Sequence, residues 1–121
     1  MDITALDFQQ ARIKQVLFKS RLRSVLYGVR EADPTLFSPS ENPLSQWLHT
    51  IVKPKYGSYP EVREMERAIQ NMLDAGQKLV KQYQRGQIEE ARTGLDQVDV
   101  YAAQVERLLQ TLERTTTNAA A

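Results

Sequence analysis

His49 is the first residue to consider for chemistry, because it is the only histidine in the chain. It stands two residues after the only tryptophan, Trp47, in the segment NPLSQWLHTIVKPKYGSYP between two long helical patterns. An imidazole can act as a general acid or base, carry a phosphoryl group or bind a metal. Each role needs partner groups, and the chain has no second histidine and no cysteine to supply them.

The helical spacing around His49 indicates an exposed side chain. Leu44, Trp47 and Ile51 share one face of a helix, and His49 points away from that face. We therefore predict that His49 is a surface residue without a catalytic or metal-binding role.

A phosphocarrier role for His49 is the alternative. Histidine phosphotransfer domains are helical bundles of similar size with one surface histidine, and His49-Thr50-Ile51 resembles the start of their motif. Their motif continues in helix with Lys-Gly and small residues, whereas Pro54 is expected to stop this helix within about one turn.

Other catalytic patterns are absent from the sequence. There is no Gly-rich phosphate loop, and a single histidine offers little basis for a Ser/His/Asp array. The Glu89-Glu90 pair falls in the first turn of a predicted helix, where the helix dipole explains two carboxylates. A di-iron bundle would need Glu-x-x-His motifs, and there are none. We predict a non-enzymatic protein with no cofactor and no metal.

Three long segments carry apolar seams with alternating spacings of three and four residues, which are typical of helices packed at shallow angles. The seams consist of Phe8, Ala11, Gln15, Phe18, Leu22, Val25 and Val29; of Val62, Met65, Ile69, Met72, Gly76, Leu79 and Tyr83; and of Ile88, Ala91, Leu95, Val98, Ala102, Val105, Leu109 and Leu112. We expect Leu6, Ile13, Leu17 and Leu26 to widen the first seam toward the core.

Proline and glycine mark the ends of the predicted helices. Asn42-Pro43 is typical of an N-cap followed by proline, and it predicts a short helix through Val52 that Lys53-Pro54 ends. Pro60 opens the next helix, and Gly86 caps its C-terminal end. No segment alternates convincingly with a period of two. The sequence therefore predicts an all-α fold, an antiparallel four-helix bundle with three long helices and one short one.

Length and charge limit the classes of function. The 121 residues predict one domain over residues 1–115, followed by a frayed tail over residues 116–121. A net charge of +1 gives no electrostatic reason to expect binding to nucleic acid or an anionic membrane. No apolar run is long enough to span a membrane, and MDITALDFQQ does not read as a signal peptide. We expect a cytoplasmic protein without membrane insertion.

The charged residues are distributed unevenly along the chain. Basic residues dominate the first helix and acidic residues the last, an arrangement that helps neighbouring helices pair or one chain bind another. The basic residues of the first helix are spread around it rather than along one stripe, so we expect no nucleic-acid binding. We expect a protein partner, and a homodimer formed through the first or last helix remains open.

Four stretches together resemble a known family. ARIKQVLFKSRLRSVLYG places Phe18, Lys19, Arg21-Leu22 and Gly28 in register with the first helix of the chemoreceptor zinc-binding domain. SENPLSQWLHTI resembles its short helix, with Leu44-Ser45-Gln46-Trp47 as the counterpart of the family's Leu-Gly-Lys-Trp. PEVREMERAIQNML resembles its third helix and GQIEEARTGLDQVDVYAAQVERLL its fourth, so the resemblance spans nearly the whole chain.

The resemblance implies a sensory domain of bacterial signalling. In chemoreceptors and cyclic-dinucleotide synthases, such a domain changes its packing and so alters an attached output domain. The family binds zinc through three histidines and one cysteine. The matching positions here are Gln15, Asn42, Ile69 and Leu73. None is a normal zinc ligand, so the resemblance implies a relative that has lost its metal site.

Two hypotheses describe what replaces the metal. One is apolar packing with a hydrogen bond between Gln15 and Asn42. The other is a small ligand bound beside Gln15, in space left by Gly76 and Met72.

Overall fold

The computed structural model describes residues 3–120, with side chains described for residues 3–116. All regular elements in this range are helical. The α-helices are α1 (Ala5–Leu26), α2 (Pro43–Trp47), α3 (Lys53–Tyr56), α4 (Pro60–Gln84), α5 (Ile88–Thr93) and α6 (Leu95–Ala120). A 3-10 turn at Pro34–Phe37 precedes α2, and a π-helical turn at Leu48–Val52 joins α2 to α3. The predicted all-α class is confirmed.

The three long helices share one interior. Helices α1, α4 and α6 each contact the other two, and α2 contacts α1 and α4. Their buried apolar side chains form one continuous cluster. Burial of apolar surface contributes roughly 25 cal/mol per Å² and is the main force that holds such helices together.

Helix α1 begins after a capping box at Thr4 and ends at Leu26. Thr4 and Asp7 form a capping box, in which the Thr4 hydroxyl accepts the Asp7 N–H and the Asp7 carboxylate accepts the Thr4 N–H. The predicted seam from Phe8 to Val25 is buried. Val29 lies beyond the helix end and is exposed.

The predicted widening of this seam is wrong for three of its four residues. Leu26 is buried, but Leu6, Ile13 and Leu17 are exposed. At 100° per residue these three lie on the side of α1 opposite the buried seam, and α4 and α6 cover only the seam side.

The prediction that Lys53-Pro54 ends the short helix is wrong. The N–H of Lys53 donates to the Leu48 carbonyl, one residue further back than in an α-helix. This π-helical turn accommodates a proline that lacks an N–H, and the helix continues as α3 to Tyr56. The extra residue shifts the register, so Val52 is buried and Ile51 is exposed.

The last predicted helix is divided in two. It breaks between α5 and α6 at Gly94, where an added Cβ would collide with Leu79 Cδ2 of α4. The turn before α5 contains Gly86 at φ 85, the left-handed conformation expected of a helix cap.

The sequence predicts that the domain ends at residue 115 and that residues 116–121 form a frayed tail. These residues belong to the last part of α6 and the end of the chain. Thr116 is buried, and the helix continues to Ala120. The side chains of residues 117–121 lie outside the described set, so the tail stays a prediction. Among the described residues, no helix combines the length and the apolarity that a membrane span requires.

Charged side chains tie α1 to α6. Arg12 Nε lies 2.9 Å from Glu106 Oε1, and Arg12 Nη2 lies 2.9 Å from Glu113 Oε1. Partial burial works to lower the pKa of Arg12, but hydrogen bonds and charge from the two glutamates outweigh it and raise that pKa. Lys19 and Asp99 form a more exposed pair at 3.1 Å.

Arg92 ties α5 to the C-terminal end of α1. Its Nε donates to the Leu26 carbonyl at 2.8 Å, and its guanidinium carbon lies 4.3 Å from the centre of the Tyr27 ring. A carbonyl that the helix end leaves unpaired thus receives a charged donor.

We expect Arg12→Ala to lower the free energy of unfolding by about 1–2 kcal/mol, because it removes two charge-assisted hydrogen bonds. Lys19→Ala is the matched control and should cost no more than about 0.5 kcal/mol, since its pair is exposed. Urea unfolding measures both, and high salt should shrink the difference. Equal costs for the two variants would contradict the interpretation.

Candidate functional site

The four positions taken from the family resemblance are all buried. Gln15 lies on α1, Asn42 just before α2, and Ile69 and Leu73 one turn apart on α4. These three helices contact one another, so the positions belong to one interior. The predicted inward orientation of Gln15 and Ile69 is confirmed.

Gln15 binds the last helix. Its Nε2 donates to the Ala102 carbonyl of α6 at 2.6 Å, and the side chain is 7% exposed. Its Oε1 is buried and has no hydrogen-bond partner in the described part of the chain. Of the two polar atoms of the Gln15 side chain, one is therefore hydrogen-bonded and the other is not. An unpaired buried acceptor costs about 1–3 kcal/mol of stability.

Asn42 is the N-cap of α2. Its Oδ1 accepts the N–H groups of Leu44 and Ser45 at 2.9 and 3.3 Å, and its Nδ2 donates to the Leu36 carbonyl at 2.6 Å. The side chain therefore joins the 3-10 turn to the start of α2, and both of its polar atoms have partners.

The predicted hydrogen bond between Gln15 and Asn42 is wrong. The amide nitrogen of each side chain already donates to a backbone carbonyl, one on α6 and the other at Leu36. A backbone carbonyl has two lone pairs, so the carbonyls of Ala102 and Leu36 can each accept a side-chain amide.

The residues at these positions do not fit a zinc ion. Ile69 and Leu73 are 2% and 0% exposed and carry no lone pair, and Asn42 is committed to capping. Within residues 3–116, no group of three or more His, Cys, Asp and Glu side chains is placed to hold a metal ion.

The space expected beside Gly76 is filled. A Cβ at Gly76 would lie 3.0 Å from Phe37 Cε1 and 3.2 Å from both Leu22 Cδ2 and Phe18 Cζ. Met72 is fully buried. The hypothesis of a ligand in this place is therefore wrong, because three side chains already occupy it.

His49 is exposed, as the helical spacing predicts. It lies in the π-helical turn, and in the described part of the chain its side chain makes no hydrogen bond or ion pair. Nearby Trp47 is buried and packs edge-on against Phe8, with ring centres 5.8 Å apart. The indole Nε1 has no partner among the described residues.

An open groove of about 750 Å³ lies between α4 and the pair α5–α6. Ala75, Leu79 and Tyr101 contribute its apolar surface, and its charged lining residues are Asp74, Lys78, Glu89 and Glu90. None of the candidate site residues Gln15, Asn42, His49, Ile69 and Leu73 lines this groove, but Leu79 of the second seam and the Glu89-Glu90 pair do.

Sequence reasoning also missed an apolar surface on α1. We call the exposed side chains of Leu6, Ile13, Val16 and Leu17 the outer face of α1. A signal was available, since Leu6, Gln10, Ile13 and Leu17 repeat the spacing of a second seam on the opposite side of the helix.

Comparisons with protein-family models, with curated proteins and with solved structures gave no match.

We expect the two polar residues to contribute independently to stability. Asn42→Ala should cost about 2–3 kcal/mol, because it exposes two cap N–H groups and strands the Leu36 carbonyl. Gln15→Met should change stability by less than about 1 kcal/mol, since removal of the unpaired Oε1 offsets the lost bond to Ala102.

Urea unfolding of both single variants and the double variant measures their coupling, which should stay below about 0.5 kcal/mol. Gln46→Ala is the matched control, because it removes one exposed side-chain hydrogen bond from the same segment. A coupling energy well above 1 kcal/mol would contradict this expectation and support a direct bond between Gln15 and Asn42.

Proposed function

We propose that the chain is a non-enzymatic sensory or protein-interaction module of bacterial signalling. It resembles a chemoreceptor zinc-binding domain in which packing and helix capping have replaced the metal site. The observation that carries the proposal is the burial of all four ligand positions, with two aliphatic residues on α4 and a committed N-cap at Asn42.

The contacts support an antiparallel four-helix bundle. Helix α4 leads through a short turn and α5 into α6, which packs against it, while α1 contacts both. The short segment α2–α3, continuous through the π-helical turn, is the fourth member. In such a bundle, a small change in packing can pass between faces because close-packed helices move as units.

A module of this kind works through a partner. The proposal places the protein in the cytoplasm, where a signalling protein or a neighbouring domain would sense a change in helix packing. It does not require nucleic acid, a membrane or a cofactor.

The zinc positions can be tested by restoring them. We expect a variant with Gln15→His, Asn42→Cys, Ile69→His and Leu73→His, refolded with zinc, to bind one ion per chain. Its Tm should fall when a chelator is added, because metal binding contributes directly to folding. The wild-type protein, purified from zinc-supplemented medium, should contain no metal and melt unchanged with chelator.

The matched control replaces Asn42 with Ser in place of Cys and should bind zinc more weakly, since it lacks the thiolate. A restored variant that is helical by circular dichroism yet binds no zinc would show that the positions were wrongly carried over. Stoichiometric zinc in the wild type would contradict the proposal outright.

The second candidate is a phosphocarrier that uses His49, and the exposure of that side chain favours it. Under the main proposal, His49→Ala should change stability by no more than about 0.5 kcal/mol and leave partner binding intact. Phosphoryl transfer from a phosphorylated receiver domain to the wild type, but not to the variant, would support the second candidate instead.

A further inference from the structure

The outer face of α1 is apolar and unpartnered in the structure. Leu6, Ile13, Val16 and Leu17 are 62%, 58%, 65% and 46% exposed. Leu6 to Leu17 spans about 16 Å of the helix axis, or three turns. Single exposed apolar residues are ordinary, but a contiguous set on one helix face marks an interaction surface.

This face is organised as a second seam. Leu6, Gln10, Ile13, Leu17, Ser20, Ser24 and Tyr27 follow spacings of four and three residues, and none of them is charged. Helix α4 differs, because none of its described large apolar side chains is exposed, and within residues 95–116 of α6 only Val100 is exposed in this way. Among the described side chains of the three long helices, those of α1 are the ones that form two apolar sides.

Basic residues flank the second seam. Lys14 and Arg21 lie along one edge of it and Arg23 along the other, at the positions that contact a partner's flanks in a helix pair. Asp7 is the acidic residue within α1, and it is engaged in the N-terminal capping box. Lys14 is in none of the ion pairs formed within the described residues.

The opposite edge of α1 shows what complements such a helix. There, Arg12 pairs with two glutamates of α6, and Lys19 pairs with Asp99. Within this molecule, therefore, the acidic residues beside the apolar seam of α6 pair with the basic residues at one edge of α1.

We infer that the outer face of α1 binds an amphipathic helix of a partner protein, with an aliphatic seam and Asp or Glu along its flanks. The inference rests on the proposed function as an interaction module and adds the surface and the chemistry of the partner. A second copy fits less well, because antiparallel pairing of two α1 helices would set Lys14 and Arg21 near the same cations.

The test uses a synthetic helix as the probe. A peptide of about three heptads, with leucine on its seam and glutamate on both flanks, is labelled and titrated with the full chain by fluorescence anisotropy. We expect micromolar binding that weakens at about 0.5 M NaCl. The same peptide with lysine on its flanks should bind at least about tenfold more weakly.

Variants locate the site. Ile13→Ser with Leu17→Ser should weaken binding at least about tenfold, because both exposed aliphatic contacts are lost. Val100→Ser is the matched control on α6 and should leave affinity unchanged. Lys14→Glu with Arg21→Glu should reverse the preference, so that the lysine-flanked peptide binds better. Circular dichroism confirms that each variant is folded.

Several results would overturn the inference. These are no binding of the glutamate peptide up to about 1 mM, or binding that the Ile13 and Leu17 substitutions do not weaken. A wild-type dimer that these substitutions convert to monomer would mean that a second copy covers the face. Binding to anionic phospholipid vesicles that depends on the same residues, without peptide binding, would assign it to a membrane.

Failure here and failure of the proposed function are distinguishable. Zinc restoration reads out the buried positions on α1 and α4, whereas peptide binding reads out the opposite side of α1. A restored zinc site without peptide binding would overturn only the inference about the outer face.

Discussion

The close approach of α1 to the backbone of α4 at Gly76 determines how the rest of the molecule is arranged. Phe18 and Leu22 of α1 and Phe37 of the 3-10 turn fill the space that a Cβ at this glycine would need, and the two phenylalanine rings meet edge to face with centres 6.0 Å apart. This packing brings α1, the 3-10 turn and α4 together around one interior. It also fills the space beside Gly76 in which the sequence predicts room for a ligand.

The polar residues of the interior serve this arrangement. Asn42 joins the 3-10 turn to the start of α2, and Gln15 joins α1 to the carbonyl of Ala102 on α6. Both work through backbone groups, which are abundant wherever helices begin or come close. Gln15, Asn42, Ile69 and Leu73 are thus all engaged in the structure of the interior, through packing, one bond between helices and one helix cap.

The three long helices differ in how much apolar surface they leave exposed. Helices α4 and α6 each bury one apolar side, but α1 has apolar residues on two sides and can bury only one of them. At the edge of α1 near α6, Arg12 and Lys19 pair with Glu106, Glu113 and Asp99, whereas Lys14 at the far edge has no ion-pair partner among the described residues. The partner helix proposed above would pack against this surface.

The sequence by itself determined the helical class and most helix ends, because these depend on local chemistry. Asn42 caps α2, Pro60 opens α4 and Gly86 takes its positive φ, as their types and positions indicate. Only the tertiary structure decided that Leu6, Ile13 and Leu17 lie outside the core, since their spacing is that of the buried seam and only the neighbouring helices distinguish the two sides of α1. It likewise decided the partner of Gln15, because the Ala102 carbonyl is distant in sequence, and the register beyond Pro54, because that register depends on a π-helical turn.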